Sequence, residues 1–134
     1  GLLGMAALQG RALQENQGAY LRSQGSILAY DMLERMRANK DAATTGSYNH
    51  SMGASKPSAG KGSAMHQVDL NDWLTTLDST LPSGLGSISC KTDGTNQCSV
   101  AVQWFDNSIT EDQNGDGVVD DKDKVLTIQL VSEI

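Results

Sequence analysis

With 134 residues, 38% of them hydrophobic and only 4% aromatic, and 14 glycines, the chain is long enough for one domain with one modest core beside a loop-rich portion, and too apolar to be disordered. The formal net charge is −6. Residues 1–40 carry Arg11, Arg22, Arg35, Arg37 and Lys40 against Glu15, Asp31 and Glu34, so this stretch is net positive and the body that follows is strongly acidic. No basic stripe runs through that body, which excludes a phosphate-binding groove and therefore nucleic acid as a partner.

The opening "GLLGMAAL" is apolar but too short to span a bilayer, and it has neither the charged flank nor the cleavage pattern of a signal peptide. A chain that starts inside a hydrophobic run reads as a piece of a longer protein, with a membrane-spanning helix as the missing upstream part. From Leu2 to about Asn39 there is no proline, and apolar residues recur at helical spacing. Leu13, Tyr20 and Ile27 lie seven apart, and Leu21, Leu28, Met32 and Met36 continue the pattern as a stripe suited to packing on a sheet. Such a helix would be about 55–60 Å long, more than a domain of this size covers, so its N-terminal part should project. Arg35, Arg37 and Lys40 crowd its last turns, where cations complement the helix dipole. Gly4, Gly10, Gly18 and Gly25 are each unfavourable inside a helix by about 1 kcal/mol relative to alanine. They point either to close packing against a neighbour or to a helix that bends in an assembly.

Residues 41–68 are rich in Gly, Ser and Ala without periodicity, and read as a long surface loop. "DLNDWLTTLDSTLP" then puts Leu70, Trp73, Leu74 and Leu77 on one face of a short helix, with Asp69 as its N-cap, Pro82 past its end and Trp73 as the anchor onto the core. The remainder reads as strands. "LGSISCK" and "CSVAVQWF" alternate, as does "KVLTIQLVSEI", and the short connections favour an antiparallel meander. The partition is a spine helix over 1–40, a loop over 41–68 and a head of one short helix plus β-meander over 69–134. Together they form one α+β domain, a long helix against an antiparallel sheet. Cys90 and Cys98 flank the turn-like Asp93-Gly94 between two of these strands. The arrangement suggests a disulfide tying a hairpin in an oxidising compartment, with two free thiols as the alternative. Neither His50 nor His66 has the spacing to form a zinc site with the pair.

Six carboxylates lie between Glu111 and Asp123. Against the calcium-loop template, Asp112, Asn114 and Asp116 take positions 1, 3 and 5, Gly117 the sharp turn, the Val118 carbonyl position 7, Asp120 position 9 and Asp123 position 12, with Val119 as a small apolar anchor. Hard oxygen donors of this number and charge suit Ca2+. The competing reading is a solvated acidic turn, which leaves the mutual repulsion unrelieved. Because strands rather than helices flank the loop, the metal would act as a staple closing a strand connection, not as a helix-opening sensor. Catalysis finds no support. His50 and His66 sit in or beside the loop with no nucleophile motif near them, so the chain is not read as an enzyme.

"GLLGMAALQGRALQENQGAYLRSQGSILAYDMLERMRAN" resembles the spine helix of type IV pilus minor pilins of the PilV kind, most specifically at "YDMLERMRAN". The run "W..L...LPSGLGSISC" (Trp73 to Cys90) and "CSVAVQWFD" (Cys98 to Asp106) are similar to the same family's globular head. The resemblance implies a type IV pilin-like fold and an inner-membrane prepilin, cleaved by a prepilin peptidase and methylated at its new N-terminus. Its hydrophobic helix would bury in the pilus shaft, and Leu2, Leu3, Met5, Leu8 and Leu13 would contact neighbouring spine helices. Other minor pilins, the major pilin and a tip adhesin are the implied partners, in a complex that primes pilus assembly and serves adhesion and twitching motility. The implied location is the inner membrane and periplasm, then the extracellular pilus of a Gram-negative bacterium. The acidic loop departs from the family pattern as an insertion into a strand connection. Type II secretion pseudopilins also carry calcium in C-terminal loops, so a minor pseudopilin is the alternative within the class. A calcium-dependent module in which this loop and residues 41–68 bind a carbohydrate or host surface is the alternative outside it.

Overall fold

The computed structural model describes residues 2–134, and their side chains from residue 16 onward. Helix α1, Leu2–Ala38, runs without interruption and ends with Arg35 and Arg37 in its last turn. A five-residue helix α2, Lys40–Thr44, follows, then α3, Met65–Thr80, and three strands: β1 Leu85–Cys90, β2 Gln97–Phe105 and β3 Val125–Glu133. The sheet is antiparallel throughout in the order β1-β2-β3. A long N-terminal helix packed on a three-stranded antiparallel sheet is the type IV pilin-like α+β fold expected from the sequence.

Period decides which residues meet. On α1, Leu28, Ala29, Met32, Leu33 and Met36 are buried, three and four apart on one helical face. On the sheet, Ile88 and Cys90 of β1 and Cys98, Val100, Val102 and Trp104 of β2 are buried at every second position. Helix α3 completes the core with Leu70, Trp73 and Leu77. The Trp73 indole N–H donates to the Leu28 carbonyl of α1 at 2.8 Å, so the anchor expected from sequence also satisfies its one polar atom.

The two apolar series of α1 face different ways. Leu21, Leu28, Met32 and Met36 pack towards the sheet as expected, but Tyr20 and Ile27 do not. Tyr20 is 61% exposed, Ile27 58% and Tyr30 57%, which places them on the face of α1 turned away from the core. Both series fit a helical period, and among the described residues only the one facing the sheet has anything to pack against.

The glycines in α1 divide as well. A Cβ on Gly25 would stand 2.9 Å from the Trp104 ring, so close packing explains this glycine. Near Gly18 a Cβ would meet only the Asp106 carboxylate, at 3.4 Å, an ordinary contact. Gly4 and Gly10 precede residue 16, in the part of α1 whose packing is not described.

Residues 41–68 are more ordered than their composition suggests. Ala43 and Tyr48 are fully buried, and His50 forms an isolated antiparallel bridge with Ile88. Helix α3 begins at Met65, five residues before the start that an Asp69 N-cap would give, with Ala64 preceding it and the Gln67 side chain accepting from the Ala64 N–H at 3.1 Å. Asp69 is therefore not an N-cap. It lies inside the helix, 3% exposed, accepting a hydrogen bond from the Tyr48 hydroxyl and an ion pair from Arg35 at 3.3 Å.

Candidate functional site

Three features bear on function: the disulfide hairpin, the acidic loop and the outward face of α1. Strands β1 and β2 meet with Cys90 opposite Cys98, and the two are joined by a disulfide with a Cα separation of 4.0 Å. The next pair outward, Lys91 and Gln97, is a hydrogen-bonded one, through the Lys91 N–H and the Gln97 carbonyl at 2.8 Å. Bonded pairs alternate with non-bonded ones along an antiparallel ladder, so Cys90 and Cys98 occupy a non-bonded position, where the Cα atoms approach most closely. The turn beyond uses Gly94 at φ +88° and Asn96 at φ 58°. Asp93 accepts from the N–H and hydroxyl of Thr95, and these bonds, the hydroxyl's foremost, hold its carboxyl below the usual carboxylate range.

The loop between β2 and β3 is organised around two of its predicted ligands. Asp112 accepts from the Gly115 N–H at 2.8 Å and, through its other oxygen, from the Gly117 N–H at 2.7 Å. Asp123, only 1% exposed, accepts from the N–H groups of Gln113 and Asn114 with one oxygen and of Asp120 with the other. Those donors, Asp120's first, hold the Asp123 carboxyl below its ordinary value. Asn114, Asp116 and Asp120 each accept from the N–H two residues ahead, which curls the chain so that alternate side chains share one side. Gly115 and Gly117 supply positive φ of 79° and 83°, the backbone geometry glycine adopts without steric cost.

The donor set is all oxygen and suits a hard cation. Among the described residues, however, no three His, Cys, Asp or Glu groups converge as a metal cage. The carboxylates are turned to backbone N–H groups instead, the partners that relieve the charge crowding. Val119 is 48% exposed and Val118 57%, so Val119 is not the apolar anchor expected at its position.

His50 is engaged through its backbone, and His66 stacks edge-on with Tyr48 at a centroid distance of 6.1 Å. An open cleft of about 400 Å³ between α1 and the loop after β2 is lined by Gly18, Arg22, Asp106, Ser108 and Glu111, and in it the Ser108 hydroxyl and N–H both donate to the Asp106 carboxylate. Sequence reading missed the polar cluster between α1 and α3, in which Arg35 pairs with Asp31 at 3.2 Å, Asp69 at 3.3 Å and Asp72 at 2.6 Å. A spacing of 34 residues between Arg35 and Asp69 offers no local signal.

The expected contact residues Leu2, Leu3, Met5, Leu8 and Leu13 lie, as side chains, outside the described residues. From residue 16 onward, the outward face of α1 presents Tyr20, Ile27 and Tyr30 to solvent. Among the described residues, no helix is long and apolar enough to cross a membrane.

Neither the curated proteins nor the solved structures contain a match to this chain. Residues 7–67 match the family model described as Tt1218-like, type IV pilin Tt1218. That segment contains most of α1, all of α2 and the connection to α3, and with the fold it supports a type IV pilin.

Proposed function

We propose that the protein is a minor pilin of the PilV kind, which joins other minor pilins in a complex priming type IV pilus assembly and presenting a tip adhesin. The observation that carries this reading is the unpartnered stripe of α1. Tyr20, Ile27 and Tyr30 are all more than half exposed, and their spacing of seven and three residues keeps them on one side of the helix. An apolar stripe of this size on solvent marks an interaction face, and its geometry fits another helix. The stripe continues the seven-residue spacing of Leu13, one of the proposed contact residues. The matched pilin segment spans the same face. The test is co-purification with the minor pilins, the major pilin and the type II pseudopilins of the source organism. Capture of minor pilins is the expected result, and capture of pseudopilins alone would move the protein to the secretion system.

The acidic loop, in this reading, binds Ca2+ through Asp112, Asn114, Asp116, Asp120, Asp123 and the Val118 carbonyl. Support comes from the all-oxygen donor set and from a backbone already curled by the same side chains; bound calcium would neutralise their charge and tie β2 to β3. Calorimetric titration of chelator-treated protein, beside an Asp112→Ala and Asp116→Ala double variant, tests this directly. Heat in the parent and none in the variant is expected; a silent parent leaves a loop held by hydrogen bonds alone.

A further inference from the structure

The two edges of the sheet are treated differently. On β1, the outward N–H and carbonyl of Ile88 bond to the His50 carbonyl and N–H at 2.9 and 3.0 Å, and the Cys90 N–H bonds to the Asn49 side chain at 2.9 Å. The connection after α2 thus covers that edge. On β3, the ends of the β2–β3 ladder fix which groups point where. The Asp106 N–H bonds to the Lys124 carbonyl at 2.7 Å and the Ile134 N–H to the Asn96 carbonyl at 2.9 Å, and both pairs belong to the register that sets Val102 opposite Ile128. Alternation then directs Leu126, Ile128, Leu130 and Ser132 at β2. The N–H and carbonyl groups of Val125, Thr127, Gln129, Val131 and Glu133 point the other way, where no strand pairs with them among the described residues.

Exposed edges are ordinarily blunted by lysine, proline, a bulge or short length. Strand β3 is nine residues long, its register is unbroken, and it carries neither lysine nor proline, with Glu133 as its one charge. Its core-facing Leu126, Ile128 and Leu130 are only partly buried, so the core is left open along this edge.

We infer that β3 accepts a further strand from another polypeptide: an extended segment with apolar side chains at alternate positions and no net negative charge. Backbone groups would supply pairing along these five positions, of which only Glu133 already has a bond among the described residues, its carbonyl accepting from the Ser132 hydroxyl at 3.1 Å, and the alternate apolar side chains would close the core beside Leu126, Ile128 and Leu130. Charge selects the occupant. An antiparallel second copy centred on Gln129 would set its Glu133 against Val125, next to the mixed-charge turn Asp121–Lys124, and would bring together two chains that each carry a net charge of −6. A neutral or basic strand meets no such repulsion. This inference is independent of the pilin reading.

The test uses a synthetic nine-residue peptide of alternating valine and threonine with a lysine at each end, and amide hydrogen exchange of the intact chain. The five outward amides are expected to exchange fast alone and to slow at least tenfold with peptide. Gln129→Pro removes one outward N–H without entering the β2–β3 ladder, and is expected to abolish the protection while keeping the thermal midpoint near that of the parent. Should that variant not fold, Thr127→Lys with Val131→Lys, both on exposed side chains, is expected to give the same loss. Outward amides already protected in dilute protein, no protection by peptide, or protection unaffected by these variants would overturn the inference. So would an aspartate-ended peptide protecting equally well, or protection that rises with protein concentration alone and marks a second copy as the occupant.

Discussion

Tyr48 shows how one residue couples burial to pH. Its side chain is fully buried, and its hydroxyl donates to Asp69 and accepts from Asn39 at 3.2 Å. Burial, reinforced by the Asp69 carboxylate, pushes its pKa up from 10.0 to about 12. A group whose folded pKa is raised contributes stability below its unfolded pKa and loses it as pH rises through the folded one. Stability should therefore decline between about pH 10 and 12 by a component that Tyr48→Phe lacks, measurable by denaturant unfolding across that range. At neutral pH the same variant leaves the buried Asp69 short of a donor and should lose about 1–2 kcal/mol. A second residue-scale prediction concerns Gly86, where an added Cβ would stand 2.4 Å from the Trp73 ring and 2.7 Å from Leu77. Overpacking of this kind makes Gly86→Ala about 2–3 kcal/mol less stable by denaturant unfolding. Trp73 was legible as an anchor, since an aromatic on the apolar face of a short helix has few other uses. Asp69 was misread because an Asp before an apolar run looks like a cap, whereas its partners lie 21 and 34 residues away. The fully buried Trp104 ring nitrogen has no partner among the described residues, a cost that its packing on Gly25 helps to offset.

Among the elements, alternation and loop chemistry were the legible parts. The strands were readable because inward and outward residues separate cleanly, and the Cys90–Cys98 bridge because a turn signal sat between the two cysteines. Replacing both with serine should lower stability by about 2–3 kcal/mol, and reducing the native protein should lower its thermal midpoint comparably. The acidic loop was legible as a template but not as an assembled site. Spacing specifies which oxygens share a side, while their orientation depends on competition between backbone N–H groups and an ion. On the proposed calcium binding, millimolar calcium should raise the thermal midpoint over chelator, and the shift should vanish in the Asp112→Ala and Asp116→Ala double variant. An equal midpoint with and without chelator would remove the metal from the account. The order within residues 41–68 could not have been read locally. A Gly- and Ser-rich stretch has no periodicity to show, and its structure comes from Tyr48 and the His50–Ile88 bridge, contacts made only once β1 and α3 are in place.

For the whole molecule, α1 carries two messages on two faces, and this is where sequence reading blurred them. Met32 and Met36 are fully buried against the head, whereas Tyr20 and Ile27 stand in solvent, although all four belong to helical-period apolar series. Periodicity alone does not say which side a sheet will occupy; topology does, through Trp73 reaching the Leu28 carbonyl and Gly25 admitting the Trp104 ring. The two faces should therefore fail in different ways. Met32→Ala removes buried volume and should cost about 2–5 kcal/mol in denaturant unfolding, yet, under the proposed minor-pilin role, those molecules that remain folded should still capture pilins. Tyr20→Glu with Ile27→Glu touches no core contact, so its unfolding midpoint should stay near that of the parent while co-purification with minor pilins is lost. The double variant still capturing its partners at parental yield would show that the exposed stripe is not the assembly face. Loss of stability and capture together would show that it packs on the head. Only intact stability with lost capture fits a helix that folds the head with one side and recruits neighbouring subunits with the other.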